Sequence, residues 1–239
     1  TGCAQPPLCR DARLATPGSC TSVGAVLAMI GRLSFVPFHV VMLTACTPGH
    51  YPLVDAMLPG DQSVTPPSPR FSQLVRNDAP ALQVGIEALD VAGVMRRDVI
   101  RDGFETWISQ DSATVTLAQG MLVATRGFGS DLMGSDVSMS AALVKDVRAG
   151  QATRFHSFLG GNDQVETRSY ICTVSSRGPR SLRIGDAAFD TRLMQEDCGN
   201  PDQNFTNLYW VDPASGDIVQ SRQWAGSFIG PLALRMVPK

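Results

Sequence analysis

The sequence predicts a mainly β protein: one large antiparallel meander sheet curled into a barrel-like or sandwich structure, with one or two short helices. Short segments with period-two alternation follow one another from Leu82 onwards, tight-turn sequences join them, and convincing amphipathic helices are scarce. Because twist accumulates over many strands and open edges invite aggregation, such a sheet is expected to curl or fold onto itself.

The individual strands follow from this alternation and from the turns between them. The predicted strands are 82–86, 104–108, 113–118, 121–125, 154–159, 165–174, 180–184, 205–211, 218–224 and 232–237. Turns are expected at 119–120, 160–163 and 212–216, which are rich in Gly, Asn, Asp and Pro. Short helices are expected at 71–76 and 139–147. Since short loops join neighbouring strands, the pairing should be antiparallel throughout.

Residues 29–45 have the layout of a bacterial lipoprotein signal. Met29 and Arg32 precede an apolar run over 33–45, and small residues lead directly to Cys46. The run is too short to cross a bilayer, which needs about 20 apolar residues. We therefore expect Cys46 to become the lipidated N-terminus, carrying acyl chains such as palmitate. The alternative is a buried apolar segment of a globular domain.

The remaining organisation follows from this signal. Residues 1–28 show neither strand alternation nor a long helical stripe, and are interpreted as a disordered upstream extension that is not native. Residues 46–70 are rich in Pro, Gly, Ser and Thr and are predicted to form a tether, with a short helix at about 53–58 as an option. A single β-rich domain is expected over 71–239.

Cysteine usage is simple once the leader is removed. Of six cysteines, only Cys172 and Cys198 follow Cys46. A secreted bacterial protein meets an oxidising periplasm, so a disulfide between these two is predicted, worth roughly 3 kcal/mol by loop closure. The alternative is two free buried thiols. No histidine stands at ligand spacing from either cysteine, so no metal site is predicted.

Motifs for enzymes and for nucleic-acid binding are weak. The chain has no nucleophile elbow, no P-loop and no zinc-protease helix motif, and no cofactor is expected. The formal net charge of −2 includes no basic run suited to nucleic acid. Asp131, Asp136 and Glu166 are the candidate carboxylates of a polysaccharide-modifying hydrolase, although Asp beside Gly and Ser is more often a turn former or helix cap.

Tryptophans in predicted strands raise a second candidate site. Trp107, Trp210 and Trp224 could stack on sugar rings, and Arg126 and Arg222 could bind an anionic sugar. The alternatives are core packing for the tryptophans, since large aromatics dominate sheet cores, and carboxylate pairing for the arginines.

Several stretches together carry a family resemblance. They are Trp107-Ile108-Ser109, residues 116–129 followed by Asp131-Leu132-Met133, Tyr170-Ile171-Cys172, Cys198-Gly199, residues 205–212, Gly216 and residues 220–224. In their order and spacing they resemble the YjbF/GfcB family of bacterial outer-membrane lipoproteins. The resemblance implies a large antiparallel β structure and a non-enzymatic part in the production or export of extracellular polysaccharide, either group 4 capsule or a related exopolysaccharide.

The resemblance also implies partners and a location. Family members are typically encoded with an outer-membrane β-barrel protein and a periplasmic protein, which the resemblance implies as partners here. No catalytic residue can be carried over. Thr47 follows the lipidation position, where Asp would favour the inner membrane, so the periplasmic face of the outer membrane is expected. Besides the hydrolase, one alternative stays open: a lipid or lipoprotein carrier whose open β-barrel has a cavity lined by Val84, Leu117 and Val123.

Overall fold

Twelve strands and two short helices make up the part of the chain that the computed structural model describes, residues 66–159 and 164–238. The helices are α1 Pro69–Arg76 and α2 Ser138–Lys145, with a 3-10 turn at Glu87–Leu89. The strands are β1 Ala81–Ile86, β2 Val91–Arg101, β3 Phe104–Ile108, β4 Thr114–Ala118, β5 Met121–Arg126, β6 Leu132–Asp136, β7 Gly150–Leu159, β8 Val165–Ile184, β9 Ala187–Gly199, β10 Asn204–Val211, β11 Ile218–Trp224 and β12 Pro231–Met236.

All twelve strands belong to one antiparallel sheet in the order β5-β4-β3-β2-β1-β12-β11-β10-β9-β8-β7-β6. Sequential neighbours pair except for β5 and β6, and the first strand also pairs with the last, Leu82 opposite Met236. The two edges, β5 and β6, face each other: Leu132 N donates to Thr125 Oγ1 at 2.9 Å, and Thr125 Oγ1 donates to Asp131 Oδ1 at 3.1 Å. The sheet is therefore nearly closed into a barrel, which confirms the predicted fold class.

The interior of the barrel is filled by alternate side chains of the strands. In β10, for example, Phe205, Asn207, Tyr209 and Val211 are buried while the residues between them face outward. The largest apolar cluster in the described region includes Leu82, Val84, Ile86, Met95, Trp107, Val115, Leu117, Leu122, Leu132, Leu232 and Leu234. Burying such side chains contributes about 1.5–3 kcal/mol each, so this packing is the main source of stability.

The two helices coincide with the predicted helical segments 71–76 and 139–147 to within two residues at each end. Helix α1 begins after Ser68, whose side chain accepts a hydrogen bond from Phe71 N at 3.3 Å, and it buries Leu74. Helix α2 buries Ser140, Ala141 and Val144 and packs on β7. No helix among residues 66–159 and 164–238 is long and apolar enough to cross a membrane.

The sequence analysis did not predict three of the strands, and it predicted the single strand β8 as two separate strands. Strands β2, β6 and β9 contain charged residues or Gly that interrupt the alternation, and β2 buries only Met95. The segment around Gly178 was expected to separate two strands, 165–174 and 180–184. It is a bulge between Ser176 and Pro179, with Gly178 at φ +88°, so β8 continues through it to Ile184.

Several expectations concern residues outside the described ranges. These are the upstream extension 1–28, the signal 29–45, Cys46, the tether up to residue 65 with its optional helix at 53–58, and the turn at 160–163. They stay predictions.

Candidate functional site

Strands β7, β9 and β10 place a charged cluster inside the barrel. The side chains of Arg154 and Glu196 are 1% and 0% exposed, and Arg154 Nη1 lies 2.6 Å from Glu196 Oε2. Tyr209 OH donates to the same carboxylate oxygen at 2.8 Å and accepts from Arg154 Nη1 at 3.2 Å. All three residues occupy inward-facing positions of their strands, so the alternation of the sheet brings them together.

Glu196 is held by further donors. Asn207 Nδ2 donates to Oε2 at 2.8 Å, and Ser140 Oγ donates to Oε1 from helix α2. Burial acts to raise the pKa of Glu196, but Arg154 and these hydrogen bonds outweigh it and hold the pKa below its usual value. Burial raises the pKa of Tyr209 well above its ordinary value, so the phenol stays protonated as a donor.

His156 extends the cluster towards a group of aromatic rings. Its Nε2 accepts from Arg154 Nε at 3.1 Å, and its ring stacks on Phe205 with centroids 5.5 Å apart. Burial, then the charge of Arg154, lowers the pKa of His156 to about 3, so the imidazole is neutral. Arg154, Glu196, Tyr209 and His156 are all sealed from solvent, so the cluster supports the barrel and is closed to a substrate.

A disulfide lies next to this cluster. Cys172 in β8 and Cys198 in β9 are directly opposite in the ladder and are joined Sγ to Sγ. In the described part of the chain these cysteines and Glu196 form a group whose donor atoms lie within 4.8 Å of one another. Because each sulfur is bonded to the other, neither is the thiolate that a metal ion would require.

The hydrolase candidates have local structural roles. Asp131 accepts from two backbone N–H groups of the preceding loop, at 2.8 and 3.1 Å, and so shapes the β5–β6 turn. Asp136 accepts from Ser138 N at 3.0 Å and Ser138 Oγ at 2.7 Å at the start of α2, and these hydrogen bonds lower its pKa. Asp131 and Asp136 are separated by the length of β6, about 16 Å at ~3.3 Å per residue, which is too far for a glycosidase pair.

Glu166 is an exposed residue on the far side of β7 from β6. It forms an ion pair with Arg168 at 2.7 Å, and the hydrogen bond from Arg168 lowers its pKa. A catalytic acid requires a raised pKa, and neither Glu166 nor Asp136 has one. The described geometry gives these carboxylates no shared catalytic arrangement.

The side chains expected to line a lipid cavity are packed in the core. Val84 and Leu117 belong to the largest apolar cluster, and Val123 belongs to a second cluster beneath α2. Two pockets of the described region are grooves of about 340 Å³ that open widely to solvent, one at the β9–β10 turn and one beside residues 213–216. Neither is lined by these three residues.

Of the five residues predicted to contact carbohydrate, two lie near each other on the outer face of the barrel, Trp210 and Arg222. Trp107 is 0% exposed, and Trp224 is half-buried and stacks on Phe205 with centroids 5.8 Å apart. Arg126 is exposed at the end of β5, far along the sheet order. Trp210 and Arg222 lie on the outer face of the adjacent strands β10 and β11, where Arg222 pairs with Leu208, two positions from Trp210.

Two outward-facing residues near Trp210 were not among the candidates predicted from the sequence. Gln220 is directly opposite Trp210, and Arg235 of β12 is directly opposite Gln220. The turn at 212–216 indicates that β10 and β11 pair, but a bulge between Trp210 and Val211 shifts the register, so the turn alone does not place Trp210 opposite Gln220. The second pairing required the register between β11 and β12.

Sequence and structure comparisons identify relatives of this chain. The lipoprotein YjbF of Escherichia coli K12 is 24% identical over 138 residues, which cover 57% of this chain and 65% of YjbF. The lipoprotein GfcB of the same organism is 26% identical over 135 residues, covering 54% of this chain and 62% of GfcB. The chain thus aligns with less than two thirds of the length of either relative.

Similarity of fold extends further than similarity of sequence. The crystal structure of the hypothetical lipoprotein YmcC from Escherichia coli K12 superposes with a TM-score of 0.59 at 20% identity, covering 82% of this chain and 98% of YmcC. The family model described as group 4 capsule polysaccharide lipoprotein GfcB, YjbF matches residues 59–237. The chain therefore belongs to the YjbF family of group 4 capsule polysaccharide lipoproteins.

Proposed function

We propose that this protein is a lipid-anchored, non-enzymatic accessory in the production or export of extracellular polysaccharide. The observation that carries the proposal is the family match over residues 59–237, which spans the whole described barrel. The layout of residues 29–45 before Cys46 supports the anchor, and Thr47 supports the periplasmic face of the outer membrane as the location.

The chemistry of the described residues favours binding over catalysis. The perturbed groups Glu196, Tyr209 and His156 are sealed inside the barrel. The candidate hydrolase carboxylates serve a turn, a helix start and an exposed ion pair. A rigid barrel with a filled interior offers its outer face to partners, and we propose that these are the outer-membrane β-barrel and periplasmic proteins of the export system.

The test is deletion of the gene followed by complementation. Wild type should restore the secreted polysaccharide that deletion lowers, whereas Cys46→Ser should fail because the protein is no longer anchored. Cys20→Ser, in the segment read as an upstream extension, is the matched control and should complement fully. Secreted polysaccharide is measured as total uronic acid and hexose.

Location is measured in the same strains. Fractionation should find the wild type in the outer membrane, and Thr47→Asp should move it to the inner membrane. Unchanged polysaccharide after deletion would overturn the proposed role, and an intact mass showing an unmodified Cys46 with its leader still attached would overturn the anchor.

A further inference from the structure

Five neighbouring strands present one continuous row of residues on the outside of the barrel. The pairings place Leu193, Trp210, Gln220, Arg235 and Gln83 side by side across β9, β10, β11, β12 and β1. The chain neighbours of Trp210, Gln220 and Gln83 are buried, and so are Met194 beside Leu193 and Leu234 beside Arg235, so the row faces outward. At ~4.8 Å between strands the row is about 19 Å long, enough for several linked sugar rings.

The centre of the row combines a flat apolar surface with planar polar groups. Trp210 is half-buried, so part of its indole ring is exposed beside Gln220. Arg235 Nε donates to Gln220 Oε1 at 2.7 Å, which fixes both side chains and leaves the terminal guanidinium nitrogens of Arg235 and the amide N–H groups of Gln220 as donors. Arg235 has no carboxylate partner among residues 66–159 and 164–238.

A second row runs beside the first and adds cations. Gln195, Leu208 and Arg222 are paired across β9, β10 and β11. Arg177 Nε donates to Gln195 Oε1 at 2.8 Å, and Arg222 Nε forms an exposed ion pair with Glu87 at 2.8 Å. The nearby carboxylate of Asp197 accepts from Gln195 Nε2 and from Thr206 Oγ1. Three guanidinium groups thus lie along the two rows, and both carboxylates already have donors.

We propose that this outer strip, the two rows centred on Trp210, binds an extended polysaccharide that carries carboxylate groups. Sugar rings would lie across the strands with one ring on Trp210, while Arg235 takes a carboxylate in the two-pronged geometry that guanidinium favours. Arg222 stays paired with Glu87 and adds its remaining N–H groups beside the chain of sugars. The inference rests on the proposed function and assigns a substrate class and a surface to it.

The test is affinity electrophoresis of the detergent-solubilised full-length protein in gels that contain polygalacturonate or, as a neutral polymer, dextran. Wild type should be retarded by polygalacturonate and not by dextran. Trp210→Ala should raise the apparent Kd at least about tenfold and Trp210→Phe less, because the phenyl ring retains part of the stacking surface. Arg235→Gln should raise it about fivefold and flatten its dependence on salt.

Phe155→Ala is the matched control. Phe155 is an exposed aromatic residue on the outer face of β7, away from the strip, and its removal should leave the Kd unchanged. A wild type that polygalacturonate does not retard, or a Trp210→Ala variant that binds as well as wild type, would overturn the assignment. Deletion strains that still lose polysaccharide in that case leave the proposed function standing, so the two failures are distinguishable.

Discussion

At the scale of single residues, the feature of the interior with the largest desolvation cost is the buried ion pair between Arg154 and Glu196. Two full charges inside an apolar barrel are costly to desolvate, and the cost is offset only because Glu196 also accepts from Tyr209, Asn207 and Ser140. The pair is therefore weak evidence for net stabilisation, but removing one partner leaves the other charge buried and unpaired.

Glu196→Gln should accordingly lower the free energy of unfolding by roughly 3 kcal/mol or more. Glu166→Gln is the matched control, since it breaks an exposed ion pair and should leave that free energy nearly unchanged. Urea denaturation of both variants measures the difference. If both substitutions lowered the free energy of unfolding equally, the result would contradict the burial of the Arg154–Glu196 ion pair.

His156 should make stability depend on pH. Its pKa is lowered to about 3 by burial and by Arg154, whereas in the unfolded chain it is ordinary, about 6.5. Between those two pH values the imidazole of His156 is protonated in the unfolded state but not in the folded state. The contribution of His156 to the free energy of unfolding is therefore fully present above pH 6.5 and falls as the pH is lowered. The loss should approach about 1.4 kcal/mol per pH unit.

Urea denaturation at pH 7, 6 and 5 measures this slope. His156→Phe keeps a ring beside Phe205 and should abolish the slope in that window. Below about pH 4.5, Glu196 and Asp136, whose pKa values are lowered, contribute a further loss in both proteins. A wild-type stability that stays flat from pH 7 to pH 5 would contradict the neutral, buried imidazole.

The sequence did not predict this interior cluster, and the reason is its distance along the chain. Arg154 and Glu196 are 42 residues apart, and they meet only through the registers of β7 with β8 and of β8 with β9. Strand β9 was itself not predicted, because Arg, Asp, Gln and Glu interrupt its apolar positions. When polar residues occupy inward-facing positions, the alternation of apolar and polar residues that predicts a strand is lost.

At the scale of elements, β8 and β9 form the longest pairing of the sheet and carry the disulfide. Cys172 and Cys198 are the two cysteines that the predicted lipidation left over, and their position opposite each other in the ladder depends on the bulge at Ser176/Pro179. The chemistry of the bridge could thus be predicted from the cysteine count, but its position in the sheet could not.

Thiol titration of the unfolded, non-reduced mature protein should find neither Cys172 nor Cys198 free. Reduction should lower the free energy of unfolding by roughly 3 kcal/mol while the far-UV circular dichroism stays that of a β protein. The Cys172→Ala/Cys198→Ala variant, with no bridge to reduce, should not respond to reductant. Two titratable thiols in the wild type would contradict the bridge.

At the scale of the molecule, the sheet is a meander whose first and last strands pair. The predicted strands and turns were sufficient for an antiparallel barrel-like class, since local hairpins follow from local sequence. The β1–β12 pairing joins residues more than 140 positions apart and left no local mark. Closure consequently leaves the seam between β5 and β6, residues 127–131, as the place where the ring of strands lacks a ladder.

That topology predicts a tolerated circular permutation. Joining residue 238 to residue 66 through a flexible Gly/Ser linker and opening the chain between Gly129 and Ser130 keeps all eleven strand pairings of the described region. The permutant should keep the wild-type circular dichroism and lose only a few degrees of Tm. Opening β10 between Leu208 and Tyr209 is the control and should prevent folding, because it cuts two ladders.

The way the chain joins β1 and β12 also determines how the barrel responds to mechanical load. The backbone enters β1 at Ala81 and leaves β12 at Met236, and Val237 N donates to Ala81 O at 3.1 Å, so both points lie at one end of a single ladder. Tension between these two points breaks the hydrogen bonds between β1 and β12 one after another, beginning with the outermost. Stretched in that direction, the barrel yields at low force.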